Sequence, residues 1–306
     1  MGVWLEGKPP ADRVREFVKN EAQRLRAVTG AIPGLTAVLV GDNKSSLSYV
    51  RTKEKACQAL GLNGNIIHMP VETTMDTLRD QIRALNDDDS VDGILVQLPL
   101  PKQLETNEVI GWIRPDKDVD GIHPESLGLL VQNQPGLRPC TPMGVLELIK
   151  ESGVPIEGRD VVIIGRSLIV GKPLAALVTN ANGTVTICHS KTRDLAGTAA
   201  RADILIAAMG KAAFVTREFV KPGAVVIDVG TSAVSDPATI RTLFGDDPLR
   251  AKDLADKGYT LVGDVDPRVI DTAGWLTPVP KGVGPLTIAM LMKNTLEAFK
   301  LRRGLP

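Results

Sequence analysis

Val161-Val162-Ile163-Ile164-Gly165-Arg166-Ser167-Leu168-Ile169-Val170-Gly171-Lys172-Pro173 is the stretch on which the fold turns. The β-branched run at 161–164 reads as a strand buried in a sheet. It stops at Gly165, and the segment from Gly171 onward reads as a helix. A buried strand that ends in glycine and leads into a helix sets backbone N–H groups and the positive helix end where a pyrophosphate can sit. Ser167 stands where the strict G-x-G-x-x-G pattern has its second glycine, so an ordinary tight strand–helix turn is the competing reading.

The same alternation extends in both directions. Upstream, residues 11–29 carry charged and apolar residues at helical spacing, and Pro33-Gly34 breaks the chain. Strands at 35–40, 65–69 and 93–98 are separated by helices at about 45–60 and 74–86. Downstream, strands are expected at 184–188, 204–207, 224–229 and 259–262, and a last helix from Pro285 toward Lys300. Strands spaced by helices need crossover connections, which predicts an α/β fold with largely parallel sheets and helices on both faces. The stretch 99–142 holds seven of the 21 prolines and reads as the junction between two domains, with Thr141 as a helix N-cap and Pro142 as first helical residue. Residues 1–140 plus 285–306 are expected to form an N-terminal α/β catalytic domain, the final helix returning to it. Residues 141–284 are expected to form a Rossmann-like nucleotide domain, the two flanking a cleft.

Composition sets limits. The 306 residues balance 36 Lys+Arg against 36 Asp+Glu, and aromatics are only 3%. Exact neutrality and few stacking platforms argue against a broad nucleic-acid or membrane footprint. Cys57, Cys140 and Cys188 are odd in number and lack metal-ligand spacing, which predicts reduced thiols in a cytoplasmic protein without a metal site. The opening residues show no apolar signal-peptide core.

After the strand at 184–188 comes His189-Ser190-Lys191-Thr192-Arg193. An NAD enzyme would place Asp or Glu here for the ribose 2′-hydroxyl. Hydroxyls and cations suit a 2′-phosphate instead, with Arg166 in reach, so NADP is expected over the alternative of a solvated basic turn. Asp203–Ala207, then Met209-Gly210, and Ile227-Asp228-Val229-Gly230 read as further strand ends facing the cofactor.

In the first half, Tyr49 and Lys53 lie four apart on one helix face. Tyr-x-x-x-Lys is also the acid/base pair of short-chain dehydrogenases, but there the pair follows the nucleotide strand, whereas here it precedes Gly165. A buried strand ends in Val96-Gln97-Leu98-Pro99-Leu100-Pro101. Pro115-Asp116-Lys117-Asp118-Val119-Asp120-Gly121 is an acidic turn, readable as a hydrated loop; three Asp without His or Glu make a poor metal site. Thr277-Pro278-Val279-Pro280-Lys281-Gly282-Val283-Gly284-Pro285 is a stiff loop entering the last helix.

These stretches together resemble the bifunctional methylenetetrahydrofolate dehydrogenase/methenyltetrahydrofolate cyclohydrolase family, and the resemblance covers nearly the whole chain. Val38-Leu39-Val40-Gly41-Asp42, Tyr49-Val50-Arg51-x-Lys53-x-Lys55-Ala56-Cys57, the Gln97 and Asp120 segments, Pro139-Cys140-Thr141-Pro142, Gly165-Arg166-Ser167-x-x-Val170-Gly171-x-Pro173, Cys188-His189-Ser190 and Gly282-Val283-Gly284-Pro285 carry it. The resemblance implies oxidation of 5,10-methylenetetrahydrofolate by NADP⁺, hydrolysis of the methenyl product, and a homodimer. It implies that Lys53 is the catalytic amine, Tyr49 orients the folate, Gln97 supports Lys53 and Asp120 grips the pterin, with Val96, Leu98, Pro278, Val279, Pro280 and Gly282 also against substrate. Gly165, Arg166, Ser167 and Ser190 would hold NADP, with Thr231 near the nicotinamide end. A free lysine titrates near ~10.4, so a lysine base acting near neutrality needs a drop of about 2–3 units. Two positions depart from the family pattern: Lys281 replaces a glycine, and Thr231-Ser232-Ala233 replaces an aliphatic residue followed by Asn. If residue 281 has φ > 0, lysine there costs on the order of 1 kcal/mol; as a binding residue, Lys281 would pair with the carboxylates of a glutamate tail. The rival readings are a dehydrogenase without hydrolysis and a catalytically silent NADP- or folate-binding protein.

Overall fold

The computed structural model describes residues 2–306. In chain order the elements are β1 (Val3–Trp4), α1 (Lys8–Thr29), β2 (Gly34–Val40), α2 (Lys44–Leu60), β3 (Asn63–Met69), α3 (Met75–Asp87), β4 (Gly93–Val96), α4 (Thr106–Gly111), α5 (Pro124–Val131) and α6 (Cys140–Glu151). They continue as β5 (Asp160–Ile164), α7 (Gly171–Asn180), β6 (Thr184–Cys188), α8 (Leu195–Ala199), β7 (Ile204–Ala207), β8 (Val225–Asp228), β9 (Ser232–Val234), α9 (Pro237–Phe244), α10 (Pro248–Lys257), β10 (Thr260–Val262), β11 (Trp275–Leu276) and α11 (Val283–Arg302). They fall into two compact units.

One unit comprises Asp12–Cys140 and Ile288–Pro306. Its sheet has the order β3-β2-β4, all parallel, with Val38 opposite Ile67 and Val96. Strand β2 is central and buried at every position, which explains its unbroken apolar run. Parallel neighbours cannot be joined by hairpins, so α2 and α3 serve as crossovers. Asn43 caps α2 by accepting from the Ser46 N–H at 3.0 Å, and Gly61 ends the helix at φ +74°. The chain's end is fastened here too: Arg302 and Arg303 reach the fully buried Asp92 at 2.7 and 2.5 Å.

The other unit comprises the segment ending at Ala11 and Thr141–Thr287. Its six strands run parallel in the order β1-β11-β8-β7-β5-β6. The chain passes from β5 to β6 on one side and then to β7 on the other, so the strand order reverses at β5/β7. Ligands of such sheets bind beyond the carboxyl ends of the strands at that point. The core beneath it is built from Val162, Ile164, Leu205, Ala207 and Val226, all buried.

Four expectations need correction. The opening residues join the second unit, because Val3 and Trp4 add a strand beside Trp275 and Leu276. The C-terminal segment assigned to the first unit begins at Ile288, not 285. Strand β10 is not part of the parallel sheet; it pairs antiparallel with β9. Helix α6 begins at Cys140, so Thr141 and Pro142 lie in its first turn, and Thr141 meets Thr287 at 3.1 Å. The proline-rich stretch before it holds α4 and α5.

Candidate active site

In the first unit, Lys53 extends from α2 to the Gln97 side chain one residue beyond β4, its Nζ donating to Oε1 at 3.0 Å. The other end of that amide is fixed, for Gln97 Nε2 donates to the Leu98 carbonyl at 2.7 Å. The Gln97 N–H donates to the Val38 carbonyl at 2.9 Å, so the sheet itself sets where the amide stands. Tyr49, one turn before Lys53, is 53% exposed, and Tyr49, Gln97, Leu98, Pro99, Asn43, Ser45 and Ser46 line a cavity of about 340 Å³. A mostly exposed tyrosine ring is available to stack on a planar ligand.

The acidic turn supplies the charge. Burial pushes the Asp120 carboxyl up to about 6; the Lys53 ammonium opposes that rise and the Asp118 carboxylate adds to it. No protein hydrogen bond occupies the Asp120 carboxylate among the described residues, which leaves its acceptor capacity for a ligand. Its neighbours have other tasks. Lys117 is fully buried and caps the carboxyl end of α3, donating to the Leu85 and Asp88 carbonyls at 2.8 and 2.7 Å. Desolvation pulls that amine down to about 8. Asp118 is buried and accepts from the His123 N–H and the Ser126 hydroxyl at 2.8 and 2.7 Å.

In the second unit, Gly165 ends β5 with φ +135°, and a Cβ there would stand 2.2 Å from the Ala208 carbonyl oxygen. A Cβ on Gly171 would stand 2.2 Å from the Gly165 oxygen. Only glycine permits this close approach of the β5 turn, the α7 start and the loop after β7. Ser167 folds over that start, its Oγ accepting from the Val170 N–H at 3.1 Å. Arg166 and Ser190 are exposed, and the turn after β6 is held by the His189 N–H donating to Thr192 Oγ1 at 2.8 Å. Thr231 is exposed immediately before β9. The loop beyond β7 is pinned by the fully buried Asp264, which accepts from Met209, Gly210 and Lys211 N–H at 2.6, 3.0 and 2.6 Å. Asp228 in turn accepts from the Asp264 and Val265 N–H groups, both at 2.9 Å, and burial pushes its carboxyl up to about 7. A narrow backbone cradle at the strand-order reversal, rimmed by hydroxyls and cations, fits a dinucleotide with a 2′-phosphate.

The two halves of the chain match the models of one family: residues 5–120 its catalytic domain and residues 139–303 its NAD(P)-binding domain. The chain belongs to the tetrahydrofolate dehydrogenase/cyclohydrolase family. The "Bifunctional protein FolD" of Koribacter versatilis is 51% identical over 302 residues, covering 98% of this chain and 97% of its own, and that of Bacillus mycoides is 44% identical over 301 residues, with shares of 98% and 97%. Among solved structures, the Campylobacter jejuni bifunctional enzyme superposes with a TM-score of 0.89 at 39% identity, over 99% of this chain and 100% of that one. The Trypanosoma brucei enzyme, solved with NADP cofactor and inhibitor, gives 0.88 at 37% identity, over 99% and 98%.

Within the first unit the structure brings Tyr49, Lys53, Gln97, Leu98 and Asp120 into one neighbourhood. Val96 is different: it is 5% exposed and its side chain belongs to the core beside β2. Pro278, Val279, Pro280 and Gly282 lie in the second unit, on a loop held by the Gly7 N–H donating to the Lys281 carbonyl at 2.8 Å and by Arg250 donating to the Val279 carbonyl. Asn43, Ser45 and Ser46 were missed, although an Asn before a helix was a legible cap signal. Asp264 was also missed, since nothing in Gly263-Asp264-Val265 tells that its carboxylate closes on a loop 53–55 residues away.

Proposed function

We propose that the chain oxidises 5,10-methylenetetrahydrofolate to the 5,10-methenyl form with NADP⁺ and then hydrolyses that product to 10-formyltetrahydrofolate. The observation that carries this is the Lys53–Gln97 contact at 3.0 Å with the Asp120 carboxylate, which no protein donor reaches among the described residues, in the field of Lys53. NADP⁺, when bound, accepts the hydride given up by the bridging carbon. The chain's own residues do the rest. Asp120 accepts two N–H bonds from the amino-pyrimidine edge of the pterin, a charge-assisted pair that fixes its register. Tyr49 covers the ring face. Gln97 holds the Lys53 amine in one direction, so that the amine takes a proton as water adds to the methenyl carbon. That amine then gives its proton to the ring nitrogen as the nitrogen–carbon bond breaks, and the hydroxyl left on the carbon loses its own proton to water as its C=O forms, leaving the formyl group on the other nitrogen. In the second unit Gly165, Ser167 and the α7 start form the pyrophosphate cradle, Arg166 and Ser190 take the 2′-phosphate, and Thr231 stands toward the nicotinamide.

Pro278, Val279, Pro280 and Gly282 belong to the same proposal as a substrate loop. So does a homodimer: β6 is an edge strand of its sheet and Ile187 on it is 38% exposed, the kind of open edge a second copy can cover. A cytoplasmic location fits three cysteines that are buried free thiols. The test is a spectrophotometric assay with methylenetetrahydrofolate and either NADP⁺ or NAD⁺. The proposal expects faster turnover with NADP⁺ and decay of the methenyl absorbance. Accumulation of methenyl product at the uncatalysed decay rate would leave a monofunctional dehydrogenase.

A further inference from the structure

Asp120 holds its place without help from its own side chain, because no protein hydrogen bond reaches its carboxylate among the described residues. Its direction is therefore set by the backbone on either side. The following residue, Gly121, has φ +69°, and a Cβ there would stand 2.2 Å from the Arg138 carbonyl carbon, so the chain before α6 packs directly on it. The preceding residue, Val119, is fully buried, and its side chain lies where a Cβ on Gly93 would be, at 2.5 Å. The Val119 carbonyl receives two donors, the Asn294 Nδ2 at 2.7 Å and the Cys140 thiol at 3.2 Å. Asn294 spends its second N–H on the Arg138 carbonyl at 2.8 Å. Both lone pairs of that carbonyl are thus taken, and the Asn294 Nδ2 also lies 3.5 Å from the Cys140 sulfur, so Val119, Arg138, Cys140 and Asn294 form one knot.

We infer that Asn294, on α11, is the positioning residue for Asp120: it clamps the Val119–Asp120 peptide to the segment before α6 and so aims the carboxylate at the substrate. The peptide unit is planar, so fixing the direction of its carbonyl also fixes the direction in which the Asp120 Cα departs. Asn suits the task because it offers two N–H groups from one short side chain, and at 3% exposure no water replaces them. The inference rests on Asp120 being the pterin grip.

The test compares Asn294→Leu, Asp120→Asn and the double variant in steady-state kinetics with methylenetetrahydrofolate and NADP⁺. Asp120→Asn should raise the folate KM on the order of 100-fold, and Asn294→Leu on the order of 10-fold with the NADP⁺ KM unchanged. In the Asp120→Asn background, Asn294→Leu should add nothing, because it acts through a carboxylate no longer there. If Asp120→Asn leaves the folate KM unchanged, the pterin-grip reading falls and this inference with it. If Asp120→Asn weakens binding but Asn294→Leu does not, or adds equally in both backgrounds, the positioning role alone is overturned. Should Asn294→Leu fail to fold, Cys140→Ala removes the other donor to the same carbonyl without touching α11. It should raise the folate KM by about threefold, again only when Asp120 is present; an unchanged KM would count against the clamp.

Discussion

Replacing Asp120 by Asn keeps the outline of the side chain and removes its charge, so stability and substrate affinity should move in opposite directions. Burial lifts the folded carboxyl from 3.8 to about 6 despite the nearby Lys53 ammonium. An acid whose folded pKa is raised holds a proton in the native state that the unfolded chain has already released. Stability therefore falls as pH rises from about 4 to about 6, and the whole penalty is present above that window. A displacement of roughly two units corresponds to about 3 kcal/mol. The amide carries no such penalty. Urea unfolding of both proteins across this range should show almost no difference near pH ~4 and an advantage for Asp120→Asn that grows to about 1–3 kcal/mol by pH ~7, the lower figure allowing for an imperfectly paired amide. Titrations shared by the two proteins cancel in the difference. In parallel the folate KM of the wild type should rise as pH falls through about 6, where the carboxylate stops being a pure acceptor. A stability difference that is flat with pH, or a variant less stable near neutrality, would refute the reasoning.

Lys53→Met should leave a folded protein whose methenyl hydrolysis drops by at least ~10²-fold, seen as persistent methenyl absorbance; near-normal decay would remove the amine from the mechanism. Lys281 sits at φ +88°, held there by the bond from Gly7 to its carbonyl, so Lys281→Gly should stabilise the protein by about 0.5–1 kcal/mol in thermal or urea unfolding once the flexibility of glycine in the unfolded chain is counted. If Lys281 also meets a glutamate tail, that change raises KM for polyglutamylated folate and leaves the monoglutamate alone. Ser190→Asp should weaken NADP⁺ binding by about 10–100-fold with little effect on NAD⁺, measured by fluorescence titration with the reduced cofactors, because a carboxylate repels the 2′-phosphate and suits the free hydroxyl.

What the sequence showed clearly was wherever local chemistry and tertiary position coincide. The strand at 204–207 was read to the residue, since it is buried at every position, and there an aliphatic run and a strand are the same segment; the strand at 184–188, at the sheet edge and mostly exposed, was read to the residue from its β-branched residues instead. Elements whose partners lie far along the chain were not legible. Strand β1 is two exposed residues, Val3 and Trp4, and only the pairing to Trp275 and Leu276 makes it a strand. The run at 259–262 looked like any other sheet strand, and its antiparallel pairing to 232–234 depends on a chain reversal through α9 and α10 that periodicity does not encode. At the site, Tyr49, Lys53 and Gln97 were legible by type and spacing, whereas Asn294 was not: an Asn in a long helix reads as solvated until the carbonyls it faces are known.

The acidic turn shows why spacing alone could not apportion roles. Asp116, Asp118 and Asp120 alternate, as three equivalent carboxylates of a hydrated or metal-binding loop would. The structure gives them three different surroundings. Asp116 stays at the surface and pairs with Arg114 at 2.6 Å. Asp118 is turned inward, where its Oδ2 accepts from the His123 N–H and the Ser126 hydroxyl while its Oδ1 has no hydrogen-bond partner. Asp120 is half-buried with no protein donor on its carboxylate, so it keeps both oxygens free for a ligand at the cost of partial desolvation. Lys117, between the first two, is buried against the end of α3 and holds the turn in register. A partly desolvated, unpaired carboxylate destabilises the free protein, and a ligand that donates to it recovers that cost only in the complex. The same burial that raises the Asp120 pKa strengthens each N–H bond a ligand donates there, since water competes less for the acceptor. The destabilisation measured through Asp120→Asn and the affinity lost through the same substitution thus have one physical origin, and the rigidity that Asn294 lends to the Val119–Asp120 peptide prevents the turn from relieving the first at the expense of the second.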